Sequence, residues 1–350
     1  MKQLSENAHR STISSKMLSA WAAALMTGAM GLAVAQSPPP GGMGAGRASA
    51  GSDNPNEARS NTPNYFLASQ VDWVPLLPAP PKAGSPEQQR DIQAVLDAQA
   101  AARKNPARRQ QAIEDSDGGC FHYADVLGKE FDEKKLTKTA EFLKKASSDG
   151  GSAAGSVKNY WQRPRPYVVS DKVEKLADMD PAYVKKKAEE RKAKEEQEKK
   201  EKAAKDAAEG KVAKAAPPAA EAKPVDPEEE KKAAAERQKN LDNTSFPSGH
   251  STAGTLCAIF LTQMLPEKQA ELYARAELYR ESRLIVGAHH RTDVEAGKLL
   301  ATAVAAVMSQ NFAFQRDEAE ARVELRTALG LPAALPERKK EEKKEESEKK

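Results

Sequence analysis

Aromatic residues are scarce in this chain: 5% of its 350 residues are Phe, Trp or Tyr, against 30% charged. Length alone would allow two domains, but so little bulky apolar material cannot fill two cores, so one compact domain with long solvated segments is expected. Cysteine is almost absent. Cys120 and Cys257 are the two present, and no cysteine and histidine stand at zinc-ligand spacing, which excludes a structural zinc site of the usual kind. In an oxidising compartment these two cysteines can pair; equally, Cys257 lies in an apolar helical run, where a free thiol packs as a small hydrophobe. The sequence leaves both open. An excess of one charge is also missing, since the net charge of +4 is small and the signs are interleaved. Neither a nucleic-acid footprint nor an acidic-substrate field follows. Period-two alternation is absent and β-branched residues are sparse in the apolar segments, which argues against sheets.

Long apolar runs are missing too, with one exception. Lys2, Arg10 and Lys16 precede the run from Met17 to Ala33, and Ala33-Val34-Ala35 fits the small-x-small pattern for cleavage before Gln36. Residues 1-35 therefore read as a signal peptide, and the mature protein is expected to be periplasmic or secreted. A retained anchor helix is the alternative, but the run falls short of the roughly 20 apolar residues that a bilayer-crossing helix needs. No stable membrane span is expected after cleavage.

Residues 36-63, rich in Pro, Gly, Ser and Asn, read as a disordered leader. Val71-Asp72-Trp73-Val74-Pro75-Leu76-Leu77-Pro78 ends in a proline-rich strap able to pack on a core but not to form a helix. Helical zones are expected from Pro86 to about Ala112, from about Phe121 to Lys145 with a break near Gly128, and from about Ser156 to Arg163-Pro164-Arg165-Pro166. Four more follow, from about Ser251 to Met264, Glu267 to Val286, Asp293 to Asn311 and Ala313 to Leu329. The expected fold is all-α: one helical domain formed by 64-170 and 246-330. Between its halves, 171-245 is a charged low-complexity insert of Lys, Glu and Ala, either a lone helix with internal ion pairs or disordered. Residues 331-350 form a charged tail of the same composition.

Three short stretches of the domain carry chemistry. The first sets Lys158 seven positions before Arg165-Pro166; the second is Pro247-Ser248-Gly249-His250; the third runs from Ser282-Arg283 to His289 and Asp293. A carboxylate in the first turn of a helix, four positions after a histidine on the preceding loop, can accept the imidazole Nδ1–H and leave Nε2 free to attack phosphorus. At the start of another helix, the amides of Ser248 and Gly249 can donate to phosphate oxygens, with His250 placed to protonate a leaving oxygen. Lys158, Arg165 and Arg283 supply the counter-charge for three equatorial oxygens. Any one lysine or arginine of this chain is by default a solvated surface charge. Arg283 is the exception, since its neighbours Leu284, Ile285 and Val286 are apolar.

The trio resembles the signature of the type 2 phosphatidic acid phosphatase superfamily, and among its members the exported class A bacterial nonspecific acid phosphatases. Leu76-Leu77-Pro78-Ala79-Pro80-Pro81, Gly84-Ser85 and Asp91 resemble the N-terminal segment of that class, and Ser282 to His289 its final motif. The similarity spans Val71 to Val169 and Phe246 to about Leu329. It implies a helical-bundle phosphatase acting on small-molecule phosphomonoesters, with His289 forming a phosphohistidine, Asp293 orienting it and His250 as general acid. It further implies that Lys158, Arg165, Ser248, Gly249 and Arg283 hold the phosphate, with Arg163 in support and no metal or other cofactor required. Two departures stand out: the charged insert ahead of Pro247, and His290 where these phosphatases often carry an aromatic residue. His122 is expected to be a core or helix-end histidine. Vanadate-dependent haloperoxidases resemble the phosphatases at every motif residue, though chain length and the N-terminal segment favour a phosphatase. A non-catalytic surface or scaffold protein, binding through the insert, would be expected to have lost one of the six charged or imidazole groups, and all are present. Oligomeric state is open, and a homo-oligomer is compatible with the sequence.

Overall fold

The computed structural model describes residues 63–208 and 227–336. The expected signal peptide, all of the leader but its last residue, the middle of the insert and most of the tail lie outside the described residues.

Among the described residues every regular element is helical, as expected. In chain order these are α1 (Pro86–Lys104), α2 (Pro106–Glu114), α3 (Ala124–Leu127), α4 (Thr137–Trp161), α5 (Pro166–Val169) and α6 (Pro181–Ala208). They are followed by α7 (Pro227–Asp242), α8 (Gly249–Met264), α9 (Gln269–Ile285), α10 (Arg291–Met308) and α11 (Phe312–Ala328). α8 is the axis of the molecule. Its sequence carries no Asp, Glu, Lys or Arg, and its Leu256, Cys257, Ala258, Phe260, Leu261 and Met264 are all buried. A helix without a charged face can be covered all round, and α4, α9, α10 and α11 pack about it.

How close these helices come depends on missing side chains. A Cβ on Gly150 of α4 would lie 2.3 Å from Leu256 Cδ1, and one on Gly254 of α8 would lie 2.5 Å from the Tyr279 ring of α9. Such contacts pull the helix axes together beyond what larger residues allow. They also explain a difference from expectation. Gly150 and Gly151 weaken intrinsic helix propensity, so the sequence indicated two zones where the structure has one continuous helix, Thr137–Trp161. Packing against α8 supplies what propensity lacks.

Four of the aromatic residues form one cluster. Phe142, Phe260 and Phe314 meet pairwise with ring centroids 5.0 to 5.6 Å apart, and Tyr65 caps the cluster edge-on to Phe314 at 5.3 Å. Trp73 is buried in the N-terminal strap, its Nε1–H donated to Ala68 O at 2.8 Å. The strap is free of α-helix, with only a short 3₁₀ turn at Val74–Leu76.

The described parts of the insert consist largely of the helices α6 and α7, and in α6 Lys186 and Glu190 form an i,i+4 pair. The packed body extends further into the insert than composition indicated. Val173, Ala177 and Met179 are buried, Leu176 N donates to Val286 O at 3.1 Å, and Gln99 of α1 bonds both Glu174 N and Glu174 O. At the other border Ser245 is fully buried. A few apolar residues at irregular spacing among charges give no periodic signal.

Cys120, just ahead of α3, is bonded to Cys257 in the middle of α8, with Cα atoms 5.4 Å apart. The bridge closes a span of 137 residues. Restricting the unfolded chain over so long a loop stabilises the fold by about 4 to 5 kcal/mol. Reduction, or the double change Cys120→Ala and Cys257→Ala, is expected to lower the unfolding free energy by about 2 to 5 kcal/mol, read as a fall in the urea midpoint.

Candidate active site

The third motif occupies the turn between α9 and α10. Gly287 has φ of 78°, and a Cβ there would lie 2.2 Å from Glu174 O, so glycine is required both by the backbone and by the Val173-Glu174 segment it touches. Ala288 N and His289 N both donate to Arg283 O, at 3.0 and 3.2 Å. α10 starts at Arg291 rather than at Asp293, and Asp293 lies in its first turn, accepting from His290 N at 2.8 Å.

His289 and Asp293 are both buried, and Nδ1 of the imidazole faces Asp293 Oδ2 at 3.7 Å, just beyond hydrogen-bond length. On the opposite edge Nε2 lies 3.5 Å from Arg165 Nη1. Burial lowers the His289 pKa well below 6.5, opposed by Asp293 and reinforced by Arg165 and Lys158. The ring is neutral. Burial would raise the Asp293 pKa, but Arg163 and the imidazoles of His290 and His289 outweigh it and hold the carboxyl well below the usual carboxylate range. Asp293 Oδ2 also accepts from Ser245 Oγ at 2.6 Å, and Oδ1 pairs with Arg163 Nη1.

Arg163 is the centre of this arrangement. Its other guanidinium arm reaches Asp91 Oδ2 of α1 at 2.8 Å, and Thr292 bonds both Arg163 and Asp91. One buried cation thus joins two buried carboxylates from α1 and α10. His290, next to His289, places Nε2 3.1 Å from Pro164 O, so it is tied to the Arg163-Pro164 turn.

The cations face the same turn. Lys158, in the last turn of α4, donates to Thr244 O, and Arg165 donates through Nε to Leu241 O at 2.8 Å and through Nη1 to Ala288 O at 2.9 Å. Arg283 is fully buried in α9, with Nη1 on Ser116 Oγ at 2.9 Å and Nη2 on Asp178 Oδ2 at 2.6 Å. The second motif is joined to the third through its backbone, since Ser248 N donates to Asp293 O at 2.9 Å. Ser248 also caps α8, its Oγ accepting from Ser251 N at 3.2 Å. Gly297 of α10 makes the contact possible, because a Cβ there would lie 2.6 Å from Ser248 O. Gly249 opens α8, and His250 beside it points Nε2 toward Ser116 O at 3.3 Å.

The structure thus gathers His289, Asp293, Lys158, Arg165 and Ser248 around one turn. Arg283 joins them through its own backbone carbonyl, and shares the Ser116 turn with His250. Buried cations around a neutral imidazole make a site for a tetrahedral oxyanion. Two partners were not found from the sequence. Ser116 sits in Asp115-Ser116-Asp117-Gly118-Gly119, whose glycines at φ 76° and 97° mark a tight polar turn, a signal present but lacking any partner to give it meaning. Asp178 lies in the charged insert, where one acidic residue cannot be told from its neighbours. Asp115 anchors the same turn, taking Arg275 on both oxygens and Ser282 Oγ at 2.6 Å.

Residues 148–317 match the PAP2 superfamily. The acid phosphatase of Zymomonas mobilis is 26% identical over 259 residues, covering 72% of this chain and 75% of that protein. The non-specific acid phosphatase of Salmonella typhimurium is 27% identical over 254 residues, covering 71% and 78%. A shorter stretch of 81 residues is 41% identical to the non-specific acid phosphatase of Salmonella typhi, 23% of this chain and 32% of that one.

Removing Arg163 would leave Asp91 and Asp293 buried and uncompensated. Arg163→Ala is expected to cost about 3 to 5 kcal/mol of stability at neutral pH. Because the carboxyl pKa of Asp293 is depressed in the folded state, its contribution is present above the ordinary value of 3.8 and is lost as pH falls through the folded value. The gap between wild type and variant in urea unfolding should therefore narrow as pH is lowered below that range; a gap that stays constant with pH would refute the assignment.

Proposed function

Because residues 148–317 match the PAP2 superfamily and the chain is similar to acid phosphatases over 71–72% of its length, we propose that it is an exported acid phosphatase that hydrolyses phosphomonoesters through a phosphohistidine on His289. One observation carries this reading: a buried, neutral imidazole with a carboxylate on its Nδ1 edge and a guanidinium on its Nε2 edge.

His289 Nε2 attacks phosphorus, the N–P bond forms as the P–O ester bond breaks, and His250 donates a proton to the departing oxygen. His250, now neutral, takes a proton from water, whose oxygen attacks phosphorus and releases His289 with inorganic phosphate. Asp293 holds the imidazole so that Nε2 faces the substrate, and stabilises the positive charge that the ring gains when phosphorylated. Lys158, Arg165, Arg283, the Ser248 hydroxyl and the Gly249 amide take the charge of the equatorial oxygens; the Ser248 amide expected from the sequence to share that task is instead donated to Asp293 O. Preorganised donors of this kind each lower the barrier by about 3 kcal/mol. With that charge supplied by side chains, no step needs a metal. Relatives described as non-specific acid phosphatases favour a broad range of phosphomonoesters over a single one. Export is supported by the Cys120–Cys257 disulfide, which fits an oxidising compartment.

The lowered pKa of His289 explains why acid suits this chemistry. An exposed imidazole would be half protonated near pH 6.5 and so less able to attack, whereas His289 remains a nucleophile below that pH. The acid limb of kcat/KM for an aryl phosphate is expected below pH 6.5. His289→Ala should reduce turnover to background, a loss of about 10³-fold or more, and chelator should leave the wild type unchanged. Rapid quench with a phosphorus-labelled substrate should trap a protein-bound label that is stable in alkali and labile in acid. Undiminished turnover in His289→Ala would refute the mechanism.

The same group shapes stability. The unfolded histidine binds its proton near 6.5 and the folded one does not, so stability due to His289 is complete above that pH and falls as pH drops below it. His289→Gln is expected to flatten that part of the stability profile in urea titrations from pH 7 to pH 5.

A further inference from the structure

Arg283, a fully buried phosphate-binding residue on the reading above, is held by a carboxylate from outside the three motifs. Its Nη2 donates to Asp178 Oδ2 at 2.6 Å while Nη1 donates to Ser116 Oγ at 2.9 Å. Asp178 does not arrive on a loose loop. The preceding strap is fastened by Leu176 N to Val286 O, by the paired bonds between Gln99 and Glu174, and by the burial of Ala177 and Met179 on either side of the aspartate. Ala177 has φ of 51°, a left-handed conformation that an alanine adopts only where its surroundings impose it. The other carboxylate oxygen, Oδ1, is buried and accepts no hydrogen bond from the protein, so the side chain is committed to the guanidinium.

We infer that Asp178 is a positioning residue for phosphate, fixing the roll of the Arg283 guanidinium between itself and Ser116 and offsetting part of its charge. The inference rests on the proposed phosphate-binding role of Arg283. Physically it addresses a problem of release. A buried site lined by Lys158, Arg165 and Arg283 binds the dianionic product in the same way as the reacting phosphoryl group, and cations left uncompensated would retain it. A carboxylate on the far side of one guanidinium weakens that hold without removing a donor. It also keeps the guanidinium plane from turning when the site empties.

The test uses the full chain and inorganic phosphate as the probe, with aryl phosphate turnover as the assay. Asp178→Asn, which keeps the shape and removes the charge, is expected to tighten the phosphate inhibition constant and lower KM together by about three- to tenfold, with kcat reduced as release slows. Asp178→Glu, which keeps the charge, is expected to stay within about twofold of the wild-type inhibition constant. A melting temperature recorded for each variant separates this effect from a general loss of structure, which would not tighten anion binding. Phosphate inhibition that is unchanged or weakened in Asp178→Asn, or tightened equally in Asp178→Glu, would overturn the inference. Arg283→Ala tells the two levels apart: if it is inhibited by phosphate as the wild type is, the role of Arg283 itself fails, and not only that of Asp178.

Discussion

The ion pair chain Asp91–Arg163–Asp293 is the constraint on which the site depends. Each member is buried, and each alone would be expensive to keep ionised away from water. Together they fasten the first helix of the domain to the helix that carries the histidine turn, with the arginine supplied by the segment just after α4. No two of these elements are adjacent in sequence. The imidazole inherits its orientation from this lock, since the Asp293 carboxylate that faces it is held by Arg163, Ser245 and the His290 amide at once. A charge network of this kind contributes less to net stability than to uniqueness of geometry, and an enzyme acting on a small charged group needs the latter.

A second requirement is close approach without side chains. Gly150 and Gly254 bring α4 and α9 onto α8, and Gly297 lets the backbone at Ser248 rest on α10. Those three contacts set the spacing between the helix that carries Lys158, the turn that carries His250 and the helix that carries Arg283. One aromatic cluster, Phe142, Phe260 and Phe314, fills the opposite end, while Tyr279, Trp161 and Phe246 pack beside the motifs, with the Tyr279 ring 6.3 Å from that of His250.

Much of this was legible in the residues. Helix after helix without a strand could be read from periodicity, and the groups that meet at His289 could be read from three motifs whose spacing has chemical meaning. The N-terminal Asp91 was visible only as part of a resembling segment, without a reason for its presence; the reason is Arg163, rated as a supporting residue from sequence and found between two carboxylates. The single helix α4 was hidden because local propensity at Gly150 and Gly151 points the other way and packing overrides it. Ser116 and Asp178 were hidden for a different reason. Their importance lies wholly in contacts across about a hundred positions or more with Arg283, and a serine in a polar turn or an aspartate among lysines carries no mark of such a partner. The disulfide was likewise undecidable, because an apolar helix suits a thiol as well as a bridge.

The borders of the charged insert have a consequence for how such a chain can change. Arg165 N bonds Asp242 O at 2.8 Å, Ser245 N bonds Arg163 O at 3.0 Å, and Arg165 Nε reaches Leu241 O. The departing and returning segments are therefore clipped side by side next to the Arg163–Arg165 turn, so that the chain leaves after α5 and re-enters after α7 at a fixed mouth. Loop-closure entropy grows slowly, about 0.6 kcal/mol for each doubling of length, so a change of length far from the clip costs the fold little. Past the anchored segment that bears Asp178 and the start of α6, where Tyr183 packs on the core and Lys187 bonds Asp117 Oδ2 at 3.2 Å, length and composition can drift while the site stays in register.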